Sequence, residues 1–368
     1  MKNLFFISII FFNTIHSNFA QTNTYWKKSI DSLLENNFET HLPGVSTAII
    51  HKGKIIYQKN IGVANFETQE PIKPNTNFRV ASITKQFTAM AIMILKENNQ
   101  LDYDHSIRNY LPELPTSYQP VSIRHLLNHT SGAYDYDPLT TDYTYQLNDD
   151  EVFNLICQVD TIYFSPNSQF LYSNTGYVLL GKVVERITQA PFAAFVEQKI
   201  LKPVGMKKSH FYSYQNEINH RAFGYQVTQK DTLINGVLEK YMVEEADQST
   251  TSALSADGCL YTSIEEYALW EASLYTEKLI TATTQLDAYT YPYQITYPEN
   301  PYGFGWFVSF QSEGRVLYHK GETRGFTSFV RRNTQKKYAI VVFTNRMDIN
   351  PQTIAEQMSQ LFVPTIAN

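Results

Sequence analysis

The strand-forming segments of this 368-residue chain lie at its two ends. Near the amino end two β-type runs, GVSTAII and KIIYQKNIGVAN, are joined by His51-Lys52-Gly53, which predicts a hairpin with glycine at the turn. Four more runs lie near the carboxyl end: GFGWFVSF, RVLYHK, FTSFVRR and YAIVVFTN. Because two strands alone do not make a stable sheet, we expect one antiparallel sheet assembled from both ends of the chain.

The stretch between the two groups of strands is mostly helical in its periodicity, and a helix is predicted at each end of the chain. The apolar residues of the first helix are Trp26, Ile30, Leu33 and Leu34. Asn350 and Pro351 predict the start of the last helix, whose apolar face consists of Ile354, Met358, Leu361 and Phe362. We predict an α+β fold in a single domain, residues 21–368. Its sheet lobe comprises residues 21–65 and 301–368, and its helical lobe residues 66–300.

The first 20 residues have the pattern of a secretory signal peptide. One lysine precedes the apolar run Leu4–Phe12, and the small residue Ala20 precedes Gln21. The run has about half of the roughly 20 apolar residues that a membrane span needs. We expect residues 1–20 to be a signal peptide and the mature protein to be periplasmic or secreted, with no stable membrane span. A buried amino-terminal helix and an uncleaved anchor are the alternatives.

Charge and cysteine content exclude several classes of partner and site. The formal net charge is −5 and the pI about 6.0, so neither nucleic acid nor an anionic membrane is an expected partner. Two cysteines cannot build a disulfide scaffold or a thiolate cluster. Cys157 lies in an apolar helical stripe that suits a small buried residue, and its pairing with Cys259 stays open.

No cofactor motif is present in the sequence. His125 and His129 have a spacing that can bind zinc, but no glutamate completes H-E-x-x-H, and we predict no metal. A G-x-S-x-G elbow, a P-loop and a dinucleotide fingerprint are also missing, so we predict no cofactor.

The candidate nucleophile is Ser82, three residues before Lys85 in the run SITKQFTAMAIMILKENN. On a helix these two residues share a face, and free N–H groups at a helix N-terminus favour developing negative charge. A serine hydroxyl becomes nucleophilic when a base takes its proton, which a neutral Lys85 can do. This is the only S-x-x-K in the chain, although chance alone supplies about one in a sequence of this size.

Two other short motifs contribute candidate site residues. Tyr172-Ser173-Asn174 places a phenol, which can shuttle a proton beside a lysine, next to an amide that can hold a carbonyl. His319-Lys320-Gly321 ends the strand RVLYHK. Each pattern occurs a second time, in Tyr214-Gln215-Asn216 and in His51-Lys52-Gly53, so neither is informative alone.

The order of the motifs is more specific than any one of them. RVASITKQFTA, IRHLLNHTSG, FSPNSQFLYSNTGY, YGFGW and HKGETRGF follow one another between about Pro43 and Asn345. This series resembles the serine β-lactamase/penicillin-binding-protein superfamily. It is most similar to the branch that holds class C β-lactamases, D-alanyl-D-alanine carboxypeptidases, D-aminopeptidases and related esterases. The resemblance implies a β-lactamase/transpeptidase-like fold and a catalytic serine, without specifying a substrate.

The resemblance also implies roles for the motif residues. Ser82 would be the acylated nucleophile, with Lys85 and Tyr172 as the acid–base pair. Asn174 would contact Lys85 and the substrate carbonyl. His319 stands where lactamases carry a lysine and many peptidases and esterases a histidine.

The residues after His319 would shape the edge of the cleft. Backbone N–H groups of Ser82 and Glu322 would form the oxyanion hole, and Gly321 would keep the strand edge open for the substrate backbone. Lys320 stands where a small residue often helps to bind a carboxylate. Its side chain either faces the cleft, where it would suit an acidic substrate, or points outward, since strand side chains alternate.

We therefore predict an exported serine hydrolase that forms an acyl-enzyme at Ser82. The expected partner is a small-molecule or peptide substrate, namely a D-amino-acid peptide or a small ester or amide. One alternative is a β-lactamase proper, which His319 in place of lysine disfavours. Another is a non-hydrolytic penicillin-binding-type sensor or scaffold, which would have no need of a complete proton shuttle. The oligomeric state stays open.

Glycine is scarce, with 15 residues, or about 4% against a usual ~7%. Asn99 and Asn167 occupy positions where relatives often carry glycine, and we expect both to adopt left-handed backbone. Two tyrosine-rich segments, AYDYDPLTTDYTYQL and AYTYPYQITYPENPY, either border the cleft or pack within the lobe, and packing is the favoured interpretation.

Overall fold

A computed structural model describes residues 25–234 and 237–366 of the chain. The predicted signal peptide, residues 1–20, lies outside the described residues. The helices are α1 (25–35), α2 (Lys85–Glu97), α3 (Ile123–Leu127), α4 (Asp149–Ile156), α5 (Asn174–Thr188), α6 (Phe192–Val196), α7 (Lys202–Val204), α8 (Ile264–Ser273), α9 (Ala282–Asp287) and α10 (Pro351–Phe362). Within the described ranges no helix combines the length and apolarity needed to cross a bilayer.

The strands belong to one large sheet and several small ones. The first group is β1 (Val45–His51), β2 (Lys54–Ile61), β3 (Val63–Asn65), β4 (Glu70–Pro71) and β5 (Phe78–Arg79). The middle group is β6 (His210–Phe211), β7 (Tyr225–Ile234), β8 (Val237–Glu245) and β9 (Leu260–Thr262). The last group is β10 (Phe307–Gln311), β11 (Gly314–Thr323), β12 (Phe326–Asn333) and β13 (Tyr338–Thr344).

The central sheet joins the two ends of the chain, as the sequence predicts. Its strand order is β10-β11-β12-β13-β1-β2, and every neighbouring pair is antiparallel. The two groups of strands meet where β1 pairs with β13, with Val45 opposite Thr344 and His51 opposite Tyr338. The predicted hairpin at His51-Lys52-Gly53 connects β1 to β2.

The two faces of the sheet pack against different layers. Because strand side chains alternate, neighbouring residues of β13 point to opposite sides. Ile340 and Val342 pack against the terminal helices, whose buried residues include Trp26, Ile30, Met358 and Phe362. Val341 and Phe343 pack into the larger core of the helical lobe. The closing helix begins as predicted, with the Asn350 side chain accepting the backbone N–H groups of Gln352 and Thr353.

The lobe of residues 66–300 is less helical than its sequence suggested. It contains a long two-stranded hairpin, β7 and β8, that we did not predict. The hairpin is anchored at Tyr225, whose backbone N–H lies 3.1 Å from the carbonyl of Asn345. Alternation of apolar and polar residues, together with an Asn-Gly pair at sequence positions 235–236, is the signal that would have found it.

Both cysteines are free thiols. Cys157 is half-buried just after α4, and Cys259 is buried just before β9. No disulfide therefore links α4 to the strand that supports the site.

A buried ion pair connects the helical lobe to the sheet. The guanidinium of Arg332 on β12 lies 3.0 Å from the carboxylate of Glu271 on α8, and both side chains are 1% exposed. The Arg332 guanidinium also packs over the rings of Tyr275 and Trp306. Burial raises the pKa of Glu271, and the arginine opposes that shift. Loss of one partner would leave the other charge buried and unpaired.

We expect Arg332→Met to lower the free energy of unfolding by about 3–5 kcal/mol, because the Glu271 carboxylate then lacks its partner. Urea denaturation at neutral pH measures this loss. Arg186→Met is the matched control, since its ion pair with Glu113 is exposed and contributes about 0–1 kcal/mol. Equal losses in the two variants would show that the buried pair has no special importance.

Candidate active site

Ser82 lies in a tight turn where the sheet lobe meets the helical lobe. The chain leaves β5, forms a 3₁₀ turn over Ala81–Thr84 and enters α2 at Lys85. The sequence predicts Ser82 at the helix N-terminus, and the structure places it one turn earlier. Ala81 has φ +49°, a left-handed conformation that is uncommon for a residue with a β-carbon. The residue before the candidate nucleophile therefore has a strained backbone.

Threonine hydroxyls hold this strained turn in place. The Thr84 hydroxyl donates to the carbonyl of Ala81 at 2.7 Å and accepts the backbone N–H of Leu260 at 3.2 Å. One turn along α2, the Thr88 hydroxyl donates to the carbonyl of Ala256. The first residue of β9 is thus bonded to the turn and the loop before β9 to the helix, which fixes the position of Ser82.

Lys85 is fully buried and contacts three oxygen atoms. Its Nζ lies 3.1 Å from Ser82 Oγ, 2.8 Å from Asn174 Oδ1 and 2.8 Å from the carbonyl oxygen of Asp257. The last two are acceptors only, so Lys85 donates to both. The third hydrogen-bonding position on Nζ faces Ser82. If Lys85 is an ammonium, it donates to Ser82 Oγ, and if it is a neutral amine, it accepts the proton of the Ser82 hydroxyl. This contact is the one that can activate the serine.

Asp257 supplies its backbone carbonyl to Lys85, and its side chain is engaged elsewhere. The Tyr136 hydroxyl donates to Asp257 Oδ2 at 2.5 Å. Burial raises the pKa of Asp257, and the charge of Lys85 opposes that shift. Asp137, the exposed residue after Tyr136, has its pKa raised to about 6 by desolvation of its carboxyl group and by the charges of Asp135 and Asp257. The carboxyl groups of Asp257 and Asp137 thus protonate more readily than free ones.

The Tyr172-Ser173-Asn174 motif marks the start of α5. The Ser173 hydroxyl accepts the backbone N–H of Gly176 and caps the helix. Tyr172 lies just before this cap, with Lys85 Nζ 5.1 Å from its ring centre. Within the described residues the Tyr172 hydroxyl has no hydrogen-bond partner. The hydroxyl is thus a buried donor and acceptor that this part of the chain leaves unsatisfied.

His129 positions this motif, a role that we did not predict. The backbone N–H of Ser173 donates to His129 Nδ1 at 3.1 Å, and the imidazole lies 4.2 Å from the Tyr172 ring. Since Nδ1 accepts, the proton of a neutral ring is on Nε2. Burial first, and then the charges of Lys85 and His319, hold the pKa of His129 well below its usual value. His129 belongs to the motif IRHLLNHTSG, and from the sequence we considered it only as a zinc ligand.

His319 on β11 is fully buried beside this group. Its Nδ1 lies 2.6 Å from the carbonyl oxygen of Lys320, and its Nε2 lies 2.9 Å from the hydroxyl of Tyr302. Burial and the charge of Lys85 lower the pKa of His319 to about 3. Tyr302 begins the YGFGW phrase and is the second site residue that we assigned no role. The second tyrosine-rich segment thus ends in a residue of the site.

Lys320 and Glu322 lie on the face of the sheet away from His319. On β12, His319 is opposite Val330, which belongs to the helical-lobe core, whereas Lys320 is opposite Phe329, which packs toward the terminal helices. Lys320 lines a groove of about 280 Å³ beside the start of α10. Of the two orientations left open for Lys320, the register favours the outward one, which removes the basis for a carboxylate contact in the cleft.

Gly321 allows β11 to approach the turn that carries Ser82. A β-carbon at residue 321 would lie 2.1 Å from the carbonyl oxygen of Val80 and 3.3 Å from the β-carbon of Ala81. Contacts under 3.0 Å do not occur, so any side chain would push the strand away from the turn. The glycine is thus required by close backbone approach.

The duplicate motifs lie elsewhere. Tyr214 is 58% exposed in a loop. His51 is the last residue of β1, at the turn of the first hairpin. His125 accepts the backbone N–H of Ser122 in a capping box at α3, so its Nδ1 is already engaged. Among the described residues no group of three histidine, cysteine or carboxylate side chains has the geometry of a metal site.

Comparison with known proteins identifies the family of the chain. The family model described as Beta-lactamase matches residues 26–362, which is nearly all of the described chain. The chain belongs to the β-lactamase family. The match and the penicillin-binding-protein relatives together place the chain in the serine β-lactamase/penicillin-binding-protein superfamily, as the motif series predicts. The members of this superfamily are serine hydrolases.

The curated relatives of this β-lactamase-family protein are longer than it is. Penicillin-binding protein 4* of Bacillus subtilis is 29% identical over 334 residues, covering 87% of this chain and 72% of the relative. Protein flp of Staphylococcus aureus is 27% identical over 329 residues, again over 87% of this chain but only 63% of its own length. The chain thus spans less than two thirds of flp.

Solved structures share the fold. A penicillin-binding protein from Bacillus halodurans has a TM-score of 0.76 at 25% identity, over 90% of this chain and 99% of its own. The octameric penicillin-binding protein homologue from Pyrococcus abyssi has a TM-score of 0.72 at 25% identity. The match covers 96% of this chain and 77% of that protein. D-amino acid amidase from Ochrobactrum anthropi has a TM-score of 0.74 over 95% and 99%, but at 21% identity it shows the fold alone.

We expect Gly321→Ala to lower kcat/KM at least 100-fold, because β11 must move away from the Ser82 turn, and small displacements of catalytic groups have effects of this size. Hydrolysis of a p-nitrophenyl ester measures the loss. Gly176→Ala is the matched control, because its added β-carbon would meet Leu126 at an ordinary 3.5 Å. If the two variants hydrolyse the ester equally well, close approach of β11 is not required.

Proposed function

We propose that this protein is an exported serine hydrolase that forms an acyl-enzyme at Ser82. Its substrate would be a D-amino-acid peptide or a small ester or amide. The observation that carries the proposal is the 3.1 Å contact between Lys85 Nζ and Ser82 Oγ, with Asn174 and the Asp257 carbonyl completing the surroundings of the amine. A nucleophile in hydrogen-bond contact with a base, which other groups orient in turn, is the arrangement that acyl transfer needs.

Acylation begins when the neutral amine of Lys85 accepts the Ser82 proton. Oγ then attacks the substrate carbonyl carbon, and negative charge develops on the carbonyl oxygen. Backbone N–H groups of Ser82 and Glu322 would donate to that oxygen. As the tetrahedral intermediate collapses, the Tyr172 hydroxyl would donate its proton to the departing amine or alcohol and recover one from the Lys85 ammonium.

Deacylation runs through the same groups. A water molecule attacks the ester carbonyl, and its proton passes to the neutral amine of Lys85, either directly or through the Tyr172 hydroxyl, which hands its own proton on. The bond to Ser82 Oγ then breaks, Oγ takes that proton back from Lys85, and the free acid leaves. The unpartnered hydroxyl of Tyr172 and the firm anchoring of Ser173 on His129 support this assignment.

The relatives support this class of chemistry. Penicillin-binding protein 4*, at 29% identity, is by its name a protein that binds penicillin, which reacts with acyl-enzyme-forming serines. The solved structures of similar fold include an amidase and a hydrolase with acyltransferase activity. Export rests on the signal-like pattern of residues 1–20.

We expect a fluorophosphonate probe, with loss of fluoride, or a penicillin to label the folded protein once, and Ser82→Ala to abolish the adduct, because Ser82 Oγ lies 3.1 Å from the amine of Lys85. Intact-protein mass spectrometry checks this. Ser168→Ala, which alters an exposed loop serine, should label like the wild type. An unlabelled wild-type protein with both probes would refute the acyl-enzyme and favour a non-hydrolytic binding protein.

We also expect Tyr172→Phe to lower kcat by about 10²–10⁴-fold while KM changes little, since a general acid–base acts in the transition state. Steady-state kinetics on an ester substrate separate the two parameters. Tyr214→Phe, in the exposed duplicate motif, is the control and should behave as wild type. An unchanged kcat for Tyr172→Phe would rule out the proton shuttle.

A further inference from the structure

The two acceptors of the Lys85 amine come from segments that are far apart in the sequence. Nζ donates to Asn174 Oδ1 at the start of α5 and to the backbone carbonyl of Asp257 in the loop before β9, each at 2.8 Å. These two bonds fix where the amine lies, so they also fix how its third position meets Ser82 Oγ. Alignment of the amine with the serine therefore requires that α5 and this loop keep a set separation.

Tyr136 connects the two segments. Its backbone N–H donates to Thr175 Oγ1 at 2.8 Å, and Thr175 is the residue after Asn174 on α5. Its side-chain hydroxyl donates to Asp257 Oδ2 at 2.5 Å. One residue is thus bonded both to the neighbour of the first acceptor of Lys85 and to the side chain of the residue that supplies the second.

Both bonds of this connection are buried. Thr175, Tyr136 and Asp257 are each 5% exposed or less. Burial and the charge of Asp257 hold the pKa of Tyr136 well above its usual value, so its hydroxyl stays protonated and donates. A hydrogen bond is stronger away from water, and a buried polar group that loses its partner is costly. Each bond therefore resists displacement of the segment that it holds.

Other contacts hold the loop before β9 as a whole. Ser255 donates to the Asp149 carboxylate on α4 through its backbone N–H and its hydroxyl, and the carbonyl of Ala256 accepts from α2. Two turns further along α5, Gly181 packs against the loop, since a β-carbon there would lie 2.4 Å from that of Ala256. Tyr136 adds the bond at the residue whose carbonyl meets the amine.

We propose that Tyr136 is a positioning residue for catalysis, which sets the separation of the two acceptors of Lys85 and so aligns the amine with the Ser82 hydroxyl. This inference rests on the serine hydrolase chemistry proposed above. Within the described residues no hydrogen bond joins Tyr136 to Ser82 or Lys85, so it acts through Asp257 and α5. The first tyrosine-rich segment, AYDYDPLTTDYTYQL, thereby contributes one tyrosine to the reaction.

Tyr136→Phe removes the hydroxyl and keeps the ring and the backbone N–H. We expect fluorophosphonate labelling of Ser82 to slow about 10–100-fold, and kcat for a p-nitrophenyl ester to fall by a similar factor while KM changes less than threefold. The reason is that a displaced amine accepts the serine proton poorly, whereas the groups that bind the substrate are unchanged. Wild-type rates in Tyr136→Phe would overturn the inference and leave the proposed function intact. Absence of labelling in the wild-type protein would instead refute the proposed function.

Tyr57→Phe is the matched control for this substitution. The Tyr57 hydroxyl also donates to an aspartate, Asp31, and the residue is 8% exposed, but it lies in the sheet lobe on β2. We expect this variant to label and hydrolyse at the wild-type rates even where its Tm falls. Equal slowing in Tyr57→Phe and Tyr136→Phe would show a general loss of structure and overturn the positioning role.

A double-mutant cycle tests whether Tyr136 acts through the Asp257 side chain. Asp257→Ala removes the carboxylate and retains the backbone carbonyl that meets Lys85. We expect Asp257→Ala to slow labelling about as much as Tyr136→Phe, and Tyr136→Phe to slow it less than threefold further in the Asp257→Ala background. Effects that multiply would show that the two residues act independently, which would overturn the inference.

A second pair of variants keeps the inference testable if Tyr136→Phe does not fold. Thr175→Val removes the acceptor of the Tyr136 N–H with little change of shape, whereas Thr175→Ser retains the hydroxyl. We expect Thr175→Val to label at least tenfold more slowly than the wild type and Thr175→Ser within threefold of it. Equal rates in the two variants, with circular dichroism spectra like that of the wild type, would overturn the inference.

Discussion

The amine of Lys85 holds together three separate parts of the chain. It contacts the turn that carries Ser82, the first residue of α5 at Asn174, and the loop before β9 through the Asp257 carbonyl. A buried ionisable group is stable only where its hydrogen bonds are made, so these three segments must sit correctly around it. The threonine clamp on Ala81 and the anchoring of Ser173 on His129 serve the same end. The relative positions of the site residues therefore depend on the contact between the two lobes.

The layer behind Lys85 is polar but uncharged. His129 and His319 are both buried, and both are kept neutral by burial and by nearby positive charge. Tyr302 lies between them, in ring contact with one and hydrogen-bonded to the other. Such a layer fixes the direction of each hydrogen bond without adding a second cation near the substrate.

The sheet and the motif residues could be predicted because their signals are local or sequential. Strand patterns at both ends required a shared sheet, and the order of the motifs identified Ser82, Lys85, Tyr172 and Asn174 together. Asn99 and Asn167 have φ +57° and +63°, the left-handed backbone expected of them. His129 and Tyr302 were missed because their roles depend on how separate segments pack: His129 bonds to Ser173, 44 residues away, and Tyr302 to His319, 17 residues away. The face of the sheet to which the Lys320 side chain points depends on the strand register, and a single sequence does not fix the register at the end of a strand.

Pairing of β1 with β13 has a consequence for how the chain acquires its structure. The partner of Val45 is Thr344, so the pairing that joins β1 and β2 to the other four strands waits for nearly the whole polypeptide to be synthesised. Contacts this distant in sequence carry a large loop-closure cost and slow folding. A nascent chain would remain open until the last strands emerged, with strand edges exposed in the meantime. Late closure of this kind leaves the β1–β2 hairpin with one unpaired edge until β13 is available.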